Sequence, residues 1–245
     1  MATPAAVASD RTKGATPPVQ GLRAMVWGGT GAAGGELVRH CLADGRFAEI
    51  VVPGRRRAAF DDPRVTQHIV TDFLDMEPHR PLFQRIDVVY WCLGVSQLVE
   101  PRKEGYRRIT RDFAVAAATV LRQESPDAPM HFLSGMGSSR VGLSPVMWGR
   151  VKGEAEKALM DLDLCRLSIW RPTFIHAIEK RENPTGTDKF AAALGLKAIP
   201  LLTNSTVNIA QAMVHTTFLD DGHRTYYPWN IDSLARAYRS AQEAC

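Results

Sequence analysis

The chain alternates between short continuous apolar runs and stretches in which apolar residues recur every three or four positions. The runs predict buried strands at residues 22–27, 48–53, 68–73, 86–94, 131–134 and 166–170, with a weaker strand at 224–227. The helical spacing predicts a helix that ends near Leu42 and further helices at residues 105–122, 147–160, 209–218 and 231–244. Strands that alternate with helices predict an α/β fold with a doubly wound parallel sheet.

A turn rich in glycine and alanine joins the first predicted strand to the first helix. In the spacing Gly28-x-x-Gly31-x-x-Gly34, one glycine permits a tight turn, one lets the backbone approach a pyrophosphate, and one lets the helix pack on the sheet. The first helical amides then face the phosphates. We interpret this segment as the nucleotide-binding turn of a Rossmann fold, made of Gly28, Thr30, Gly31, Ala32, Ala33 and Gly34. An ordinary strand-to-helix turn is the alternative interpretation.

The second predicted strand ends in three consecutive arginines, Arg55, Arg56 and Arg57. NAD-binding proteins of this fold carry an acidic residue near this point, which holds the ribose 2′-hydroxyl. Arginines would instead form charge-assisted hydrogen bonds with a 2′-phosphate. We therefore predict that Arg55 and Arg56 select NADP over NAD, and a solvated basic loop is the alternative.

Other candidate cofactor contacts lie at the ends of the third and fourth predicted strands. Asp72 and Phe73 end the third strand beside the expected adenine site, although an exposed turn carboxylate is the alternative for Asp72. Leu93 and Gly94 end the fourth strand, where they would pass close to the pyrophosphate and the nicotinamide ribose.

Composition and charge exclude several classes of protein. The net charge of +4 and the pI of about 9.0 raise the question of nucleic-acid binding. The cations are dispersed except at residues 55–57 and 102–111, so we expect no nucleic-acid partner. The apolar runs are strand-sized, so we expect no membrane span. The four cysteines are far apart and form no Cys-x-x-Cys pair, which indicates a reducing, cytoplasmic environment and no metal site.

The length of 245 residues is enough for one good hydrophobic core. Residues 1–20 are rich in Ala, Thr and Pro and lack the apolar segment of a secretion signal, so they are predicted to be a disordered tail, with a transit peptide as the alternative. Residues 21–245 are then a single domain, which we expect to be a monomer or a homodimer that acts on a small-molecule substrate. Within it, residues 176–206 break the pattern and are predicted to form a small C-terminal substrate lid, or else a surface excursion.

Several short motifs, together with the glycine turn, resemble the atypical short-chain dehydrogenase/reductases. The resemblance covers residues 22–175 best, and this family includes Tat-interacting oxidoreductase-like proteins and bacterial epimerase-like proteins. It implies an NAD(P)-binding oxidoreductase in which Pro172 and the backbone at Phe174 or Ile175 contact the nicotinamide. The motifs are Gly54-Arg55-Arg56, Cys92-Leu93-Gly94, Val151-Lys152-Gly153-Glu154 and Arg171-Pro172.

The resemblance also implies a Tyr-x-x-x-Lys pair on the helix at residues 147–160, in which the tyrosine exchanges a proton with the substrate and the lysine binds the nicotinamide ribose. Lys152 stands in the lysine position, but Trp148 stands in the tyrosine position. An indole N–H donates hydrogen bonds without titrating in the relevant pH range, so Trp148 cannot be the usual general acid. Trp148 would instead stack on Lys152 or form a wall of the substrate pocket.

The catalytic serine of the family is displaced as well. Counted back from the lysine it falls at Met136 or Gly137, so Ser134, Ser138 or Ser139 would replace it, and a plain turn accounts for these serines equally well. The remaining candidate sources of the proton are Tyr106, His176, water and the substrate itself.

Three functions follow from these patterns. The first is an NADP-dependent oxidoreductase or dehydratase-like enzyme that acts on a small organic substrate, with Lys152 orienting the cofactor. The second is a non-redox isomerase or cyclase on the same scaffold, with Trp148 shaping the pocket. The third is a cofactor-sensing regulatory protein. All three require nucleotide binding, and turnover distinguishes them.

Overall fold

A computed structural model describes residues 20–176, 203–219 and 222–243 of the protein. Seven parallel strands form the central sheet in the order β3-β2-β1-β4-β5-β6-β9, and β7 and β8 form a separate two-stranded parallel sheet. This order is that of a doubly wound Rossmann fold with one added edge strand, which confirms the predicted fold class. The strands are β1 (Leu22–Trp27), β2 (Phe47–Gly54), β3 (Val65–Ile69), β4 (Val88–Trp91), β5 (Met130–Leu133), β6 (Leu167–Trp170), β7 (Phe174–His176), β8 (Thr203–Ser205) and β9 (Arg224–Tyr226).

Helices cover both faces of the main sheet, so its central strands are buried on both sides. One core lies between the sheet and α3 and α4, and the other lies between the sheet and α1, α5 and α6. Trp27, Trp91 and Trp170 fill the central strands with fully buried side chains. The helices are α1 (Ala32–Ala43), α2 (Lys103–Arg107), α3 (Phe113–Glu124), α4 (Met147–Met160), α5 (Thr206–Thr217) and α6 (Pro228–Glu243).

Several predicted boundaries were wrong. β3 ends at Ile69, so Asp72 and Phe73 lie beyond the strand in a turn and not at its end. The helix predicted at residues 105–122 is interrupted by a π-turn, Arg108–Asp112, which separates α2 from α3. The helix predicted at residues 209–218 begins earlier, at Thr206, and the Ser205 side chain caps it by accepting a hydrogen bond from the Asn208 amide at 3.0 Å.

The predicted tail and most of the predicted lid lie outside the described residues. At the two ends of the lid region, β7 and β8 pair in parallel, with Ile175 opposite Asn204. The Asn204 side chain also accepts a hydrogen bond from the Thr173 amide at 3.0 Å. These contacts hold the chain that follows β6 at the carboxyl edge of the sheet, where ligands bind in this fold.

Candidate functional site

The turn after β1 can be formed only by residues without side chains at two positions. Gly28 has a φ of +84°, and a Cβ there would lie 2.8 Å from the Cys92 carbonyl carbon and the Leu93 nitrogen. A Cβ on Gly34 would overlap the carbonyl oxygen of Gly28, against which the first turn of α1 packs. These are the tight turn and the close helix packing that the glycine spacing predicts.

The N-terminus of α1 opens toward the cleft without a side-chain cap. Gly31 is the N-cap residue and donates its own amide to the Gly28 carbonyl at 2.8 Å. The following amides of α1 have no carbonyl partner within the helix, and its first turn contains no acidic residue. Ala32 and Ala33 therefore present backbone N–H groups and the positive end of the helix dipole to the cleft, which suits a pyrophosphate.

A cavity of about 480 Å³ extends from the glycine turn to the end of β2. The exposed Arg55 and Arg56 border it, and within the described residues their guanidinium groups form no hydrogen bond or ion pair. No acidic residue of the described chain borders this cavity. We call it the adenosine half of the cleft, and its lining fits a ligand that carries phosphate groups. Thr30, Leu93 and Gly94 also border it.

The two candidate adenine contacts differ in their surroundings. Phe73 is buried, borders the adenosine half and packs against Trp27 and Phe113, with ring centroids 5.7 Å and 5.1 Å away. Asp72 is exposed, and its carboxylate accepts a hydrogen bond from the Leu74 amide at 2.9 Å. This bond closes a local turn, and Asp72 does not border the cavity.

A second cavity, of about 260 Å³, adjoins the first along Gly31 and residues 92–94. We call it the nicotinamide half of the cleft. Most of the residues that border it are glycines or carry apolar side chains, and few carry a group able to exchange a proton. The described residues that border it are Gly31, Ala32, Ala33, Cys92, Leu93, Gly94, Val95, Tyr106, Thr110, Phe132, Leu133, Ser134, Lys152 and Ile175.

Lys152 reaches the nicotinamide half from α4. Its ammonium group donates a hydrogen bond to the Ser134 carbonyl at 2.8 Å. Burial lowers its pKa to about 8, and the nearby Glu156 carboxylate opposes that shift. The group is therefore a cation at neutral pH that stays close to losing its proton, and it retains donors for the hydroxyl groups of a ribose.

The hydroxyl groups of the two candidate serines are bonded to other protein groups. The Ser134 hydroxyl donates to Glu156 at 2.6 Å, and the Ser138 hydroxyl donates to the Gly135 carbonyl at 2.7 Å. The two hydroxyls are 3.0 Å apart, and both residues are buried. Ser134 borders the nicotinamide half, whereas Ser138 does not, and the Lys152 ammonium group bonds the Ser134 carbonyl and neither hydroxyl.

Trp148 packs beside the loop after β5 and does not border the nicotinamide half. A Cβ placed on Gly135 would lie 3.6 Å from both the Trp148 ring and the Lys152 side chain, and one on Gly137 would lie 3.3 Å from the ring. Trp148 thus covers the glycines of this loop. Since Lys152 donates to a carbonyl, its ammonium group does not depend on the indole for a partner.

The candidate residues after β6 occupy different environments. Pro172 is buried, and its carbonyl accepts a hydrogen bond from the Met136 amide at 2.7 Å. Phe174 and Ile175 are exposed in β7, and Ile175 also borders the nicotinamide half. His176 follows them in β7 and does not border either half of the cleft. Ile175 is thus the one residue of this group that the structure brings to the nicotinamide half.

A buried carboxylate behind the site is the main feature that sequence reasoning missed. Glu156 is fully buried one turn after Lys152 on α4, and it accepts hydrogen bonds from Arg140 at 2.8 Å and from Arg171 at 2.8 and 2.5 Å. Burial opposes its ionisation, but the hydrogen bonds from Arg171 and Ser134 outweigh burial and lower its pKa. Trp148, Lys152 and Glu156 are spaced four residues apart and therefore share one face of α4. This spacing is the sequence signal from which the position of Glu156 behind the site could have been predicted.

Two negative findings concern the described ranges alone. No helix among residues 20–176, 203–219 and 222–243 is long and apolar enough to cross a membrane. The same residues contain no group of three or more His, Cys, Asp or Glu side chains that could hold a metal ion.

Comparison with known proteins finds a relative with a similar sequence and solved structures with a similar fold. No family model matches the chain. The protein HTATIP2 of Rattus norvegicus is 28% identical over 171 residues, which are 68% of each chain. MoeE5 in complex with UDP-glucuronic acid and NAD has a TM-score of 0.67 at 15% identity over 84% of this chain and 76% of its own. The Streptomyces venezuelae dTDP-glucose 4,6-dehydratase DesIV, with NAD bound, has a TM-score of 0.65 at 13% identity over 91% of this chain and 81% of its own.

Proposed function

We propose that the chain, which has a Rossmann fold, is an atypical short-chain dehydrogenase/reductase that acts as an NADP-dependent oxidoreductase on a small organic carbonyl substrate. Two features of the adenosine half together carry this proposal. The amides at the start of α1 have no side-chain cap, and Arg55 and Arg56 have no partner among the described residues. The amides suit a pyrophosphate, and Arg55 and Arg56 suit a 2′-phosphate.

The preference for NADP rests on Arg55 and Arg56 alone. MoeE5 and DesIV are structures with NAD, and a shared fold at 13–15% identity carries no information about the 2′-position. Proteins of this fold that bind NAD use an acidic residue near the end of β2 to hold the ribose 2′-hydroxyl. Here β2 ends at Gly54 and is followed by three exposed arginines, so charge complementarity supports the phosphorylated cofactor.

The nicotinamide half supports hydride transfer through the positions of its side chains. A bound NADPH would supply the hydride. Lys152 would hold the ribose hydroxyls, while its bond to the Ser134 carbonyl fixes the direction of the ammonium group. Leu93, Leu133 and Ile175 give the cavity an apolar border that limits the access of water to the reacting carbon.

A non-redox isomerase or cyclase is the second candidate, and the replacement of the family's tyrosine by Trp148 favours it. A cofactor-sensing regulatory protein is the third. The reductase is preferred because the nicotinamide half contains Tyr106, whose hydroxyl is a proton donor, whereas Trp148 does not border it. Stoichiometric oxidation of NADPH in the presence of a carbonyl compound separates the first function from the other two.

The test is calorimetric titration of the wild type and an Arg55→Ala/Arg56→Ala variant with NADPH and with NADH. We expect the variant to lose about 10- to 100-fold in affinity for NADPH, since a hydrogen bond to a charged group contributes about 1.5–3 kcal/mol. Affinity for NADH should not change. Arg57→Ala is the matched control, because Arg57 is equally exposed and does not border the cavity. Equal or tighter binding of NADH by the wild type would remove the role assigned to Arg55 and Arg56.

A further inference from the structure

Two residues with hydroxyl groups, Tyr106 and Thr110, border the nicotinamide half on successive turns. Tyr106 is 2% exposed and Thr110 is 5% exposed, and both border the same cavity as Lys152. Within the part of the chain that the structure describes, the Thr110 hydroxyl has no hydrogen-bond partner. A buried polar group without a partner is uncommon and indicates that water or a ligand satisfies it.

The backbone between these residues is irregular at this point. Tyr106 lies in α2, one turn before Thr110. Thr110 lies inside the π-turn Arg108–Asp112, which separates α2 from α3. A π-turn inserted in a helix occurs frequently at functional sites, where it changes the direction of side chains. Here it accompanies two hydroxyls that face one cavity, four residues apart.

The surroundings of Tyr106 keep its hydroxyl protonated. Burial raises the pKa of the phenol, and the neighbouring Thr110 hydroxyl offsets part of this effect. Thr110 is close enough to Tyr106 to affect the pKa of the phenol. A phenol in this state donates a hydrogen bond at neutral pH, so Tyr106 can donate to an acceptor in the cavity.

We propose that Tyr106 and Thr110 bind the oxygen of a neutral carbonyl substrate and that Tyr106 delivers the proton during its reduction. Lys152 is the only charged side chain that borders this cavity within the described chain, which favours a substrate without a charge near its reacting carbon. Tyr106 thereby supplies the proton that the tyrosine on α4 supplies in the family and that Trp148 cannot supply.

The proton and electron balance of this step is complete with the cofactor of the proposed function. A bound NADPH would supply the hydride that adds to the carbonyl carbon, and the electron pair of the C=O π bond would move to oxygen. That oxygen takes the proton as the phenolic O–H bond of Tyr106 breaks, and the tyrosinate recovers a proton from water. The carbonyl is reduced to an alcohol, and NADPH is oxidised to NADP⁺.

The experiment compares Tyr106→Phe with the wild type in the full chain. We expect unchanged NADPH affinity, a rate of NADPH oxidation with neutral aldehydes and ketones lowered at least about 100-fold, and about 10-fold weaker binding of an unreactive carboxamide to the NADPH complex. Tyr90→Phe is the matched control, because Tyr90 is a buried phenol that bonds Thr217 at 2.7 Å, on the other face of the sheet. Thr110→Val is the second variant should Tyr106→Phe not fold, and Thr119→Val on α3 is its control.

The outcomes separate this inference from the proposed function on which it rests. Wild-type protein that binds no NADPH overturns both. If the wild type binds NADPH while Tyr106→Phe keeps its carboxamide affinity and its rate, only the inference about Tyr106 is overturned. The same holds if neither protein binds a carboxamide. Selective loss of carboxamide binding in Tyr106→Phe, with normal NADPH binding, supports it even where no efficient substrate has been found.

Discussion

The adenosine half of the cleft is bordered by five glycines and by Arg55 and Arg56, whose guanidinium groups have no partner among the described residues, whereas the polar side chains nearest Lys152 in the nicotinamide half are bonded to other protein groups. In the first half, Gly28 and Gly34 are fixed by contacts that no side chain would permit. In the second, Lys152 donates to a carbonyl and Ser134 donates to a buried carboxylate.

Under the proposed function, the adenosine half is the part of the cleft that binds the cofactor, and the nicotinamide half is the part that determines the reaction. Backbone amides at the start of α1 suit the pyrophosphate of any dinucleotide. The adenosine half can therefore be the same in proteins of this fold that catalyse different reactions. The nicotinamide half depends on the position of α4 relative to the loop after β5. Gly149 and Gly153 give α4 that position, since a Cβ on either would overlap atoms of that loop. Measurements that affect one half without the other test the division.

The largest effect on stability should come from substitution of Glu156, because its ion pairs join α4 to Arg140 and to Arg171, which follows β6. Glu156→Gln removes the charge that pairs with Arg140 and Arg171, and loss of one partner of a buried ion pair costs about 3–5 kcal/mol. We expect the free energy of unfolding in urea to fall by that amount at pH 7. Glu154→Gln on the same helix is the control, because its partly exposed pair with Arg107 contributes less than about 1 kcal/mol.

The pH dependence of stability provides an internal check on Glu156. Its pKa in the folded protein lies below the ordinary value of 4.5, so its contribution is fully present above about that pH and is lost as the pH falls through the folded value. Wild-type stability should therefore decline below pH 4.5 more steeply than that of Glu156→Gln. Parallel curves for the two proteins would mean that the carboxylate is not held by the arginines.

Gly34→Ala should produce the next largest effect, and in the other half of the cleft. The added methyl group would overlap the Gly28 carbonyl oxygen, which is backbone and cannot rotate away. We expect a loss of about 3 kcal/mol in unfolding free energy and weaker binding of both NADPH and NADH. Gly45→Ala is the control, since a Cβ there meets no atom within 4 Å. Normal cofactor affinity in Gly34→Ala would contradict the account of the turn.

The same division explains which features the sequence predicts. The glycine spacing, the apolar strands and α4 arise from local pattern, and the predicted order of elements is confirmed. The end of β3 was misplaced because apolar residues continue past Ile69 into a turn that the Asp72 side chain closes. The π-turn was missed because its apolar spacing is the same as that of a regular helix. The direction of the Ser134 hydroxyl depends on the distant Glu156, which no local pattern reports.

The smallest effect should come from Lys152→Met, which removes one charged donor while keeping most of the packing of α4. We expect NADPH affinity to fall about 10-fold at pH 7, with little change in stability. The pKa of Lys152 is about 8, so the wild-type affinity should decline as the pH rises through that value, while the affinity of Lys152→Met stays flat. Lys157→Met is the control, because Lys157 is exposed and pairs with Asp161 on the solvent side. An unchanged affinity in Lys152→Met would separate α4 from cofactor binding and leave the arginines and the backbone of the adenosine half as the source of affinity.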